Sequence, residues 1–341
     1  MNSLFETLRK DRAISIIVHT NPDPDALASA LGLSHLLKNE GYKGIRIFYD
    51  GIIGRAENQA MVKVLNIPLC RASNISSIKR RQFVLVDCQP EAGNVKLPDG
   101  VLPAAVIDHH PRLKGTEVIP YVDIRPDYGA CSTIISEYIR NRKLSVPVPV
   151  ASALVYGISS ETQFLGREGS LADKKAYKEL IPVGSFSLLS KIQFPNISKD
   201  FVINLSDALM NIVYYKNMIG VLLDRLPYPD FVAEMADFVL RIRNMTWSIC
   251  LGAYENTLYV SVRTSNPRGD ASRITRSAVG GKGSSGGHSM IAGAQIELDG
   301  NEEGSIRSLE ITILRKMLKL LNHTNVTEIF RLSSDDKFPL V

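Results

Sequence analysis

The chain has 341 residues, which is too long for one ordinary domain and predicts two. Apolar residues make up 45% of the chain, enough to give both domains a packed core. The formal net charge of +5 is compatible with anionic ligands, but it is too small to indicate a nucleic-acid-binding protein by itself.

The four cysteines lie far apart and lack metal-ligand spacing, which argues against both a zinc knuckle and a disulfide framework. Residues 5–12 carry too many charges for a signal peptide, and no apolar run of about 18 residues occurs. We therefore expect a soluble, cytoplasmic protein with no membrane partner.

The first half of the chain alternates short apolar runs with helical patterns. This alternation predicts a parallel α/β sheet, in which ligands gather beyond the carboxyl ends of the strands. The predicted strands are Ile14–Val18, Ile45–Tyr49, Phe83–Val86 and Ala104–Ile107, and the predicted helices are Ala26–Asn39 and Ala130–Asn141.

The pattern changes after about residue 195. A helix is predicted from Asp200 to Asp224, and the prolines of Leu226-Pro227-Tyr228-Pro229 end it. We expect a first domain at 1–195, a helical linker at 196–229 and a smaller α/β domain at 230–341, with a cleft between the two domains. The elements predicted for the smaller domain are a helix at Phe231–Arg243, a strand at Leu258–Arg263, a glycine-rich segment and a helix at Ser305–Leu321.

His19-Thr20-Asn21-Pro22-Asp23-Pro24-Asp25 follows the first predicted strand. The two prolines stiffen the loop and favour extended conformations for the residues before them. Asp23 and Asp25 then point to opposite sides, which suits two carboxylates that serve two different ions. An equally good interpretation of Asp25 alone is that it caps a helix beginning at Ala26.

Two further polar groups follow predicted strands. Asp87 ends an apolar run and, taken alone, is typical of a turn. Asp108-His109-His110 is more informative, because three adjacent polar groups at a sheet edge are costly without partners. Together with the first motif they predict a metal site rich in oxygen and imidazole ligands.

The segment from Gly280 to Gly293 contains six glycines, and His288 lies within it. Glycine lets backbone amides approach an anion closely, although composition alone would equally suit a flexible linker. Arg263, Arg273 and Arg276 are candidate phosphate ligands, with ordinary surface arginine as the alternative.

A helix start at Gly129–Thr133 offers a second candidate phosphate site. Ser132 and Thr133 there could donate to phosphate, and ordinary capping explains them equally well.

The three motifs, in this order, resemble those of the DHH phosphoesterases, and the segment around Gly286, Gly287 and His288 resembles the DHH-associated domain. The resemblance implies that His19 and Asp23 hold one ion, that Asp25 and His109 hold the other, and that Asp87 bridges them. The implied catalytic residues are Asp87, Asp108 and His110, and the implied substrate-binding residues are Arg263, Arg273, Arg276, Gly286, Gly287 and His288.

The fourth family motif departs from its usual form, because Glu161 stands where the family has aspartate. A longer carboxylate still permits ligation of a metal ion, with Glu161 as a simple loop acid as the alternative. Two divalent ions are expected, with Mn²⁺ best suited to mixed imidazole and carboxylate ligands and Mg²⁺, Co²⁺ or Zn²⁺ also compatible. Such ions would activate water for attack on phosphate.

By size and domain order the chain is most similar to the nanoRNase/pAp-phosphatase branch. This predicts hydrolysis of short oligonucleotides, and in some members of 3′-phosphoadenosine 5′-phosphate. Cleavage of linear or cyclic dinucleotides, or of another small phosphate ester, is the first alternative, and a non-catalytic nucleotide-binding protein is the second. Family members are often dimers, so a homodimer is one expected state.

Overall fold

The computed structural model of the protein describes residues 3–75, 78–166, 169–287, 289–298, 303–321, 323, 326, 328–334 and 336–339. The chain divides into two compact units, Met1–Asn196 and Ile197–Val341. Among the described residues, no helix combines the length and the apolar character that a membrane span requires.

The first unit is built on a six-stranded sheet in which every pair of neighbouring strands is parallel. This confirms the predicted parallel α/β fold. The strands are β1 (Ala13–Ile17), β2 (Arg46–Tyr49), β3 (Leu69–Arg71), β4 (Arg81–Val86), β5 (Ala105–Asp108) and β6 (Tyr121–Ile124), arranged in the order β3-β2-β1-β4-β5-β6.

The order of the strands reverses between β1 and β4. The chain adds β2 and β3 on one side of β1 and then returns to place β4, β5 and β6 on the other. In open parallel sheets, a ligand site forms at such a switch point, beyond the carboxyl ends of the strands.

Helices of the first unit form one apolar core with the sheet. Of these, α2 packs against both α4 and α5. The helices are α1 (Leu4–Thr7), α2 (Pro24–Asn39), α3 (Ala56–Val64), α4 (Cys131–Asn141), α5 (Val148–Glu161), α6 (Leu171–Leu180) and α7 (Phe186–Gln193).

A separate apolar cluster covers the other face of this sheet. Ile17, Phe48 and Leu85 from the strands pack there against residues of the connecting segments, among them Val95 and Leu97. In the described residues this cluster contains no helix residue, so irregular chain covers that face.

The second unit is a mixed sheet with helices on both faces, which confirms the predicted second α/β domain. Its strands are β7 (Ile212–Tyr215), β8 (Met218–Arg225), β9 (Trp247–Tyr254), β10 (Thr257–Thr264), β11 (Ser284–Gly287), β12 (Ile291–Glu297), β13 (Glu328–Arg331) and β14 (Lys337–Pro339). The strand order is β11-β12-β10-β9-β8-β7-β13-β14, with β8 and β9 parallel and the other described pairs antiparallel.

The helices of this unit are α8 (Lys199–Met210), α9 (Phe231–Val239), α10 (Ala271–Val279) and α11 (Glu303–Leu320). Alternate residues of β10 point to opposite faces of the sheet. Val260 and Val262 pack in one cluster with α10 and α11, and Tyr259 packs in a second cluster with α9.

The predicted helix from Asp200 to Asp224 is wrong beyond Met210. Residues 212–225 form the antiparallel strands β7 and β8, so the expected helical linker contributes one helix and two strands to the second unit. The two strands are joined by Lys216 and Asn217, and Lys216 has a positive φ of 54°. A two-residue loop with positive φ is the usual hairpin connection. The prediction failed because the apolar residues on either side of the loop were assigned the period of a helix instead of that of a strand.

Gly157 of α5 tests the packing of the helical layer. A Cβ at this position would clash with Ser132 Oγ and lie 2.9 Å from Ala28 Cβ. We expect Gly157→Ala to lower the urea midpoint, because overpacking costs about 1–3 kcal/mol and outweighs a gain of about 1 kcal/mol in helix propensity. Gly281→Ala is the control, since a Cβ there meets no described atom within 4 Å. A midpoint at or above the wild-type value for Gly157→Ala would refute the close approach.

Candidate metal centre

Polar side chains lie at the ends of three neighbouring strands of the first unit. His19 lies two residues after β1, Asp87 directly follows β4, and Asp108 is the last residue of β5. Because these strands are neighbours, the side chains meet at the carboxyl edge of the sheet, at the switch point.

Asp23 reaches the same edge as the N-cap of α2. Its carboxylate accepts a hydrogen bond of 2.9 Å from the amide of Ala26, and Pro24 occupies the first helical position. The capping role therefore belongs to Asp23, and the alternative that assigned it to Asp25 is wrong.

Asp25 is completely buried in the first turn of α2. Its carboxylate accepts hydrogen bonds from two backbone amides that begin α4, those of Cys131 at 2.6 Å and Ser132 at 2.8 Å. The Thr133 hydroxyl donates to buried Asp173. Ser132 and Thr133 are themselves buried and have partners within the protein, which corrects their assignment as possible phosphate donors.

Asp87 lies at the centre of the cluster. Its Oδ2 is 3.8 Å from His19 Nε2, and its Oδ1 is 3.5 Å from His109 Nε2. His19 Nε2 is also 3.7 Å from Asp23 Oδ2, and His109 Nε2 is 3.9 Å from Asp25 Oδ2. The two oxygens of Asp87 thus face two different sets of ligand atoms.

The backbone of Asp87 is held in an uncommon conformation. Its φ is +59°, a left-handed value that costs of order 1–3 kcal/mol for a residue other than glycine. Its amide donates a hydrogen bond of 2.9 Å to the carbonyl of Ile107, which ties the turn to β5. Such strain persists where the surrounding structure fixes it, and it is frequent at functional sites.

Backbone carbonyls orient the two inner histidines. Nδ1 of His19 lies 2.9 Å from the Thr20 carbonyl, and Nδ1 of His109 lies 3.2 Å from the Tyr128 carbonyl. A carbonyl only accepts, so each Nδ1 carries the proton and each Nε2 presents a lone pair to the cluster.

Asp108 makes hydrogen bonds with both carboxylate oxygens. Oδ1 accepts from the amides of His109 and His110, at 2.8 and 3.3 Å, and from His110 Nδ1 at 2.9 Å. Oδ2 accepts from Gln89 Nε2 at 2.7 Å. The His110 side chain is 47% exposed, which leaves it accessible to a ligand. These contacts hold the His110 ring against Asp108.

Gln89 is a buried site residue that we did not predict. Besides its bond to Asp108, its Nε2 donates to the Pro111 carbonyl at 3.1 Å, and its Oε1 accepts from the Leu113 amide at 2.8 Å. It thereby holds the chain that follows His110. The available signal was a long polar side chain two residues after Asp87, in a segment that leaves a buried strand.

Negative charge accumulates around Asp87. Burial raises the pKa of the Asp87 carboxyl well above its ordinary value, and the charges of Asp25, Asp23, Asp108 and Glu161 raise it further. Burial also raises the pKa of Asp25. Without a cation, the folded protein therefore disfavours the ionised form of both carboxyls.

The histidines differ in the direction of their pKa shifts. Burial, assisted by the charge of His110, lowers the pKa of His109, which favours the neutral form that ligates metals. Burial would also lower the pKa of His110, but the hydrogen bond and charge of Asp108 raise it to about 9. Burial would lower the pKa of His19, but the hydrogen bond and charge of Asp23, together with the hydrogen bond to the Thr20 carbonyl, raise it.

The cluster fits divalent metal ions. Asp87 Oδ1 and His109 Nε2 are buried and have no hydrogen-bond partner among the described residues. Such atoms are costly unless a ligand completes them, and an imidazole lone pair beside carboxylate oxygens suits Mn²⁺, Co²⁺ or Zn²⁺. Two groups of ligand atoms lie close enough to hold an ion, and Asp87 belongs to both: His19 with Asp23 and Asp87, and Asp87 with Asp108, His109 and His110.

Glu161 is the half-buried last residue of α5. Its charge contributes to the raised pKa of both Asp87 and His110, which places its carboxylate in the electrostatic environment of the cluster. Its role as a metal ligand stays a prediction.

The structure corrects Arg263 as an exposed phosphate ligand. Arg263 is only 8% exposed, and its Nε donates to Asp237 Oδ1 at 2.8 Å. Its Nη1 donates to Ser261 Oγ at 2.8 Å. The guanidinium is thus buried in an ion pair on the α9 face of the sheet.

The other predicted residues of the second unit lie near one edge of its sheet, with one exception. Arg273 and Arg276 are exposed on α10. Gly286 and Gly287 belong to β11, the edge strand, so this segment is paired chain and the flexible-linker alternative is wrong. The exception is His288, which lies outside the described residues. Binding of substrate by these residues stays a prediction.

The strand order and the cluster at its switch point define an α/β protein with a candidate centre for divalent metal ions. Residues 13–158 match the model of the DHH family, N-terminal domain. The first unit of the chain belongs to the DHH family.

Two relatives illustrate how far the sequence similarity extends. An uncharacterised protein of Methanocaldococcus jannaschii is 29% identical over 331 residues, which are 96% of this chain and 66% of that protein. A protein of Lactobacillus delbrueckii subsp. bulgaricus, named as a probable manganese-dependent inorganic pyrophosphatase, is 25% identical over 171 residues, 49% of this chain and 54% of that protein. The chain thus spans between about half and two thirds of the length of these relatives.

A solved structure supports the fold over most of the chain. An exopolyphosphatase-related protein from Bacteroides fragilis superposes with a TM-score of 0.61 at 15% identity, covering 91% of this chain and 94% of that one. At this identity the likeness concerns the fold alone.

The charge around Asp87 yields a prediction about stability. In chelator, we expect Asp87→Asn to raise the melting temperature, because it removes a charge that burial and four neighbouring carboxylates disfavour. Each kcal/mol corresponds to about 2–4 °C for a domain of this size. Adding Mn²⁺ should stabilise the wild type and have little effect on the variant.

Asp25→Asn is the matched control for that experiment. It also removes a buried charge, but an amide cannot accept from both Cys131 and Ser132 in the same way, and an unsatisfied donor costs about 1–3 kcal/mol. We expect a lower melting temperature in chelator. Shifts of the same sign in the two variants would contradict the distinction between a bridging and an anchoring carboxylate.

Proposed function

We propose that the protein is a metal-dependent hydrolase of phosphate esters whose substrates are short oligonucleotides. The observation that carries the proposal is the position of Asp87, a buried carboxylate whose two oxygens face two separate sets of imidazole and carboxylate ligands. Membership of the first unit in the DHH family and the manganese-dependent enzymes among its relatives support it.

Two ions are part of the proposal. His19 and Asp23 would hold one, Asp25 and His109 the other, and Asp87 would contribute an oxygen to each. The chemistry that divalent ions supply in such sites is Lewis acidity, which activates water and neutralises charge on phosphate oxygens.

The remaining residues of the cluster bind and orient. Asp108 accepts from Nδ1 of His110, which orients the ring, and its hydrogen bond and charge raise the pKa of His110 to about 9. Near neutral pH both ring nitrogens then carry protons, so Nε2 can donate to an oxygen of the phosphate that reacts. Gln89 holds Asp108 and the following loop in place. No side-chain nucleophile is needed, because water attacks phosphorus and the ester oxygen leaves.

The substrate class follows from the resemblance of the second unit to the DHH-associated domain. In the proposal, the exposed edge formed by Gly286 and Gly287, with Arg273 and Arg276 on α10, recognises the end of the substrate. A second candidate substrate is pyrophosphate, which the name of the Lactobacillus relative favours. 3′-Phosphoadenosine 5′-phosphate and linear dinucleotides are further members of the same chemical class.

The test is a comparison of substrates with purified full-length protein. We expect Mn²⁺-dependent release of mononucleotide from a dinucleotide or short RNA, faster than phosphate release from pyrophosphate, and loss of both in chelator. Asp87→Ala should abolish turnover, and Lys174→Ala, on the exposed face of α6, should leave it unchanged. Faster hydrolysis of pyrophosphate than of oligonucleotides would overturn the substrate class. If the protein binds nucleotide but shows no metal-dependent turnover, a non-catalytic binding protein is favoured.

Asp108→Asn separates positioning from metal binding. We expect a fall in kcat of about 10–100-fold, typical of groups that orient a site residue, because the variant removes the negative charge that keeps His110 protonated. The Mn²⁺ content of the protein, measured by elemental analysis after dialysis, should stay at the wild-type level. Loss of metal together with activity would show that Asp108 is a ligand.

A further inference from the structure

Cations gather at the edge of the first sheet opposite the metal centre. Residues 9–12, 43–46 and 78–81 precede or begin β1, β2 and β4, and they contain eight lysines and arginines with one acid, Asp11. Asp11 is paired with Arg9 at 2.8 Å. We call these three segments the basic edge.

Strand register brings the three segments together. Arg46 is paired with Ser15 of β1, and Arg81 with Ala13, so the two arginines flank the start of the same strand. Arg81 also donates to the carbonyl of Gly44 at 3.2 Å. Burial lowers the pKa of Arg81 and the charge of Arg46 lowers it further, as expected for two cations in proximity.

The basic edge borders an open recess of about 280 Å³. Its cationic wall is formed by Arg12, Lys79 and Arg81, and its apolar wall includes Val101 and Leu102. The volume is at the small end of the range of about 300–1,000 Å³ for small-molecule sites. Leu102 is 55% exposed, so the apolar wall is open to solvent.

Three exposed cations of the basic edge form no ion pair with the residues that the structure describes. Among the described residues, no carboxylate lies within 4.0 Å of a side-chain nitrogen of Arg12, Lys79 or Arg80. Like charges held together without acids repel, and a polyanion that releases its counterions relieves that repulsion.

We propose that the basic edge binds the backbone of single-stranded nucleic acid and that the recess beside it receives a base. Arginine matches phosphate oxygens bidentately, and sites for single strands combine cations along the backbone with side chains that contact the bases. An anionic bilayer is disfavoured, because the apolar side chains beside the cations line a recess and do not form one face of an amphipathic helix.

The site is distinct from the metal centre. The five residues of β1 separate the two edges by about 16 Å, at a rise of about 3.3 Å per residue. One nucleotide cannot occupy both places, so binding at the basic edge does not depend on the proposed hydrolysis. Its consequence would be to retain longer strands on the protein.

The test is fluorescence anisotropy of a labelled single-stranded RNA, in chelator, with a triple variant, Arg12→Glu, Lys79→Glu and Arg80→Glu. The matched control reverses three exposed lysines of α6 in the same unit, Lys174, Lys175 and Lys178, with the same change in net charge. We expect at least tenfold weaker binding only in the first variant. Its salt slope should fall by about 2, because each phosphate that the three cations neutralise contributes about 0.7 to the slope.

A second variant tests the recess. Leu102→Ala should weaken RNA binding several-fold and leave the salt slope unchanged, because an apolar side chain contacts no phosphate. Hydrolysis of a dinucleotide with Mn²⁺ should be equal in all variants and the wild type, which shows that they are folded. Equal RNA affinity in the two triple variants would overturn the proposal. If the wild type binds phosphatidylserine vesicles but not RNA, and the first triple variant loses vesicle binding, the basic edge is a membrane-binding surface and the proposal is wrong.

Discussion

The carboxylate of Asp25 joins the first turn of α2 to the first turn of α4. Its partners are backbone amides at a helix start, where the helix dipole favours a negative charge. The close approach of α5 at Gly157 brings a third helix against the same place, because a Cβ added to Gly157 would lie 3.3 Å from the Asp25 Cα. Because α2 begins at this bond, the positions of Asp23 and of the loop that carries His19 follow from it.

The cluster is arranged for a cation at a cost to the metal-free fold. Asp87 combines burial, a left-handed backbone and four neighbouring negative charges, and each of these alone would disfavour it. Burial would raise the pKa of Asp108 too, but the hydrogen bond and charge of His110, the charge of His109 and the hydrogen bond from Gln89 hold it below the ordinary value. The two carboxylates are close in space and opposite in behaviour, since one is satisfied by the protein and the other requires a ligand.

Strand ends were the part of the site that sequence could predict. Four central strands produced clear apolar runs, and polar residues directly after three of them marked the site edge. The short strands β3 and β6 gave no comparable signal, because their residues are half-buried or exposed and so lack an apolar pattern.

The prediction for Arg263 failed for a different reason. Its partner Asp237 is 26 positions away on a helix, a contact that only the tertiary structure creates. The role of Gln89 likewise depends on its hydrogen bond with Leu113, which is distant along the chain.

The face of the first sheet that lacks helices has a consequence for how this fold can diverge. The segments that cover it, including Val95 and Leu97, are irregular, and such chain tolerates substitution and insertion better than helices do. They nevertheless reach the site, because the carbonyl of Asn94 accepts a hydrogen bond of 2.6 Å from the amide of Thr20, the residue after His19. The helices on one face of the sheet anchor the carboxylates, and the loops on the other face border His19. The sequences of these two faces can therefore diverge at different rates. Related proteins could therefore acquire new ligand preferences through the loops while the residues of the candidate metal centre stay in place.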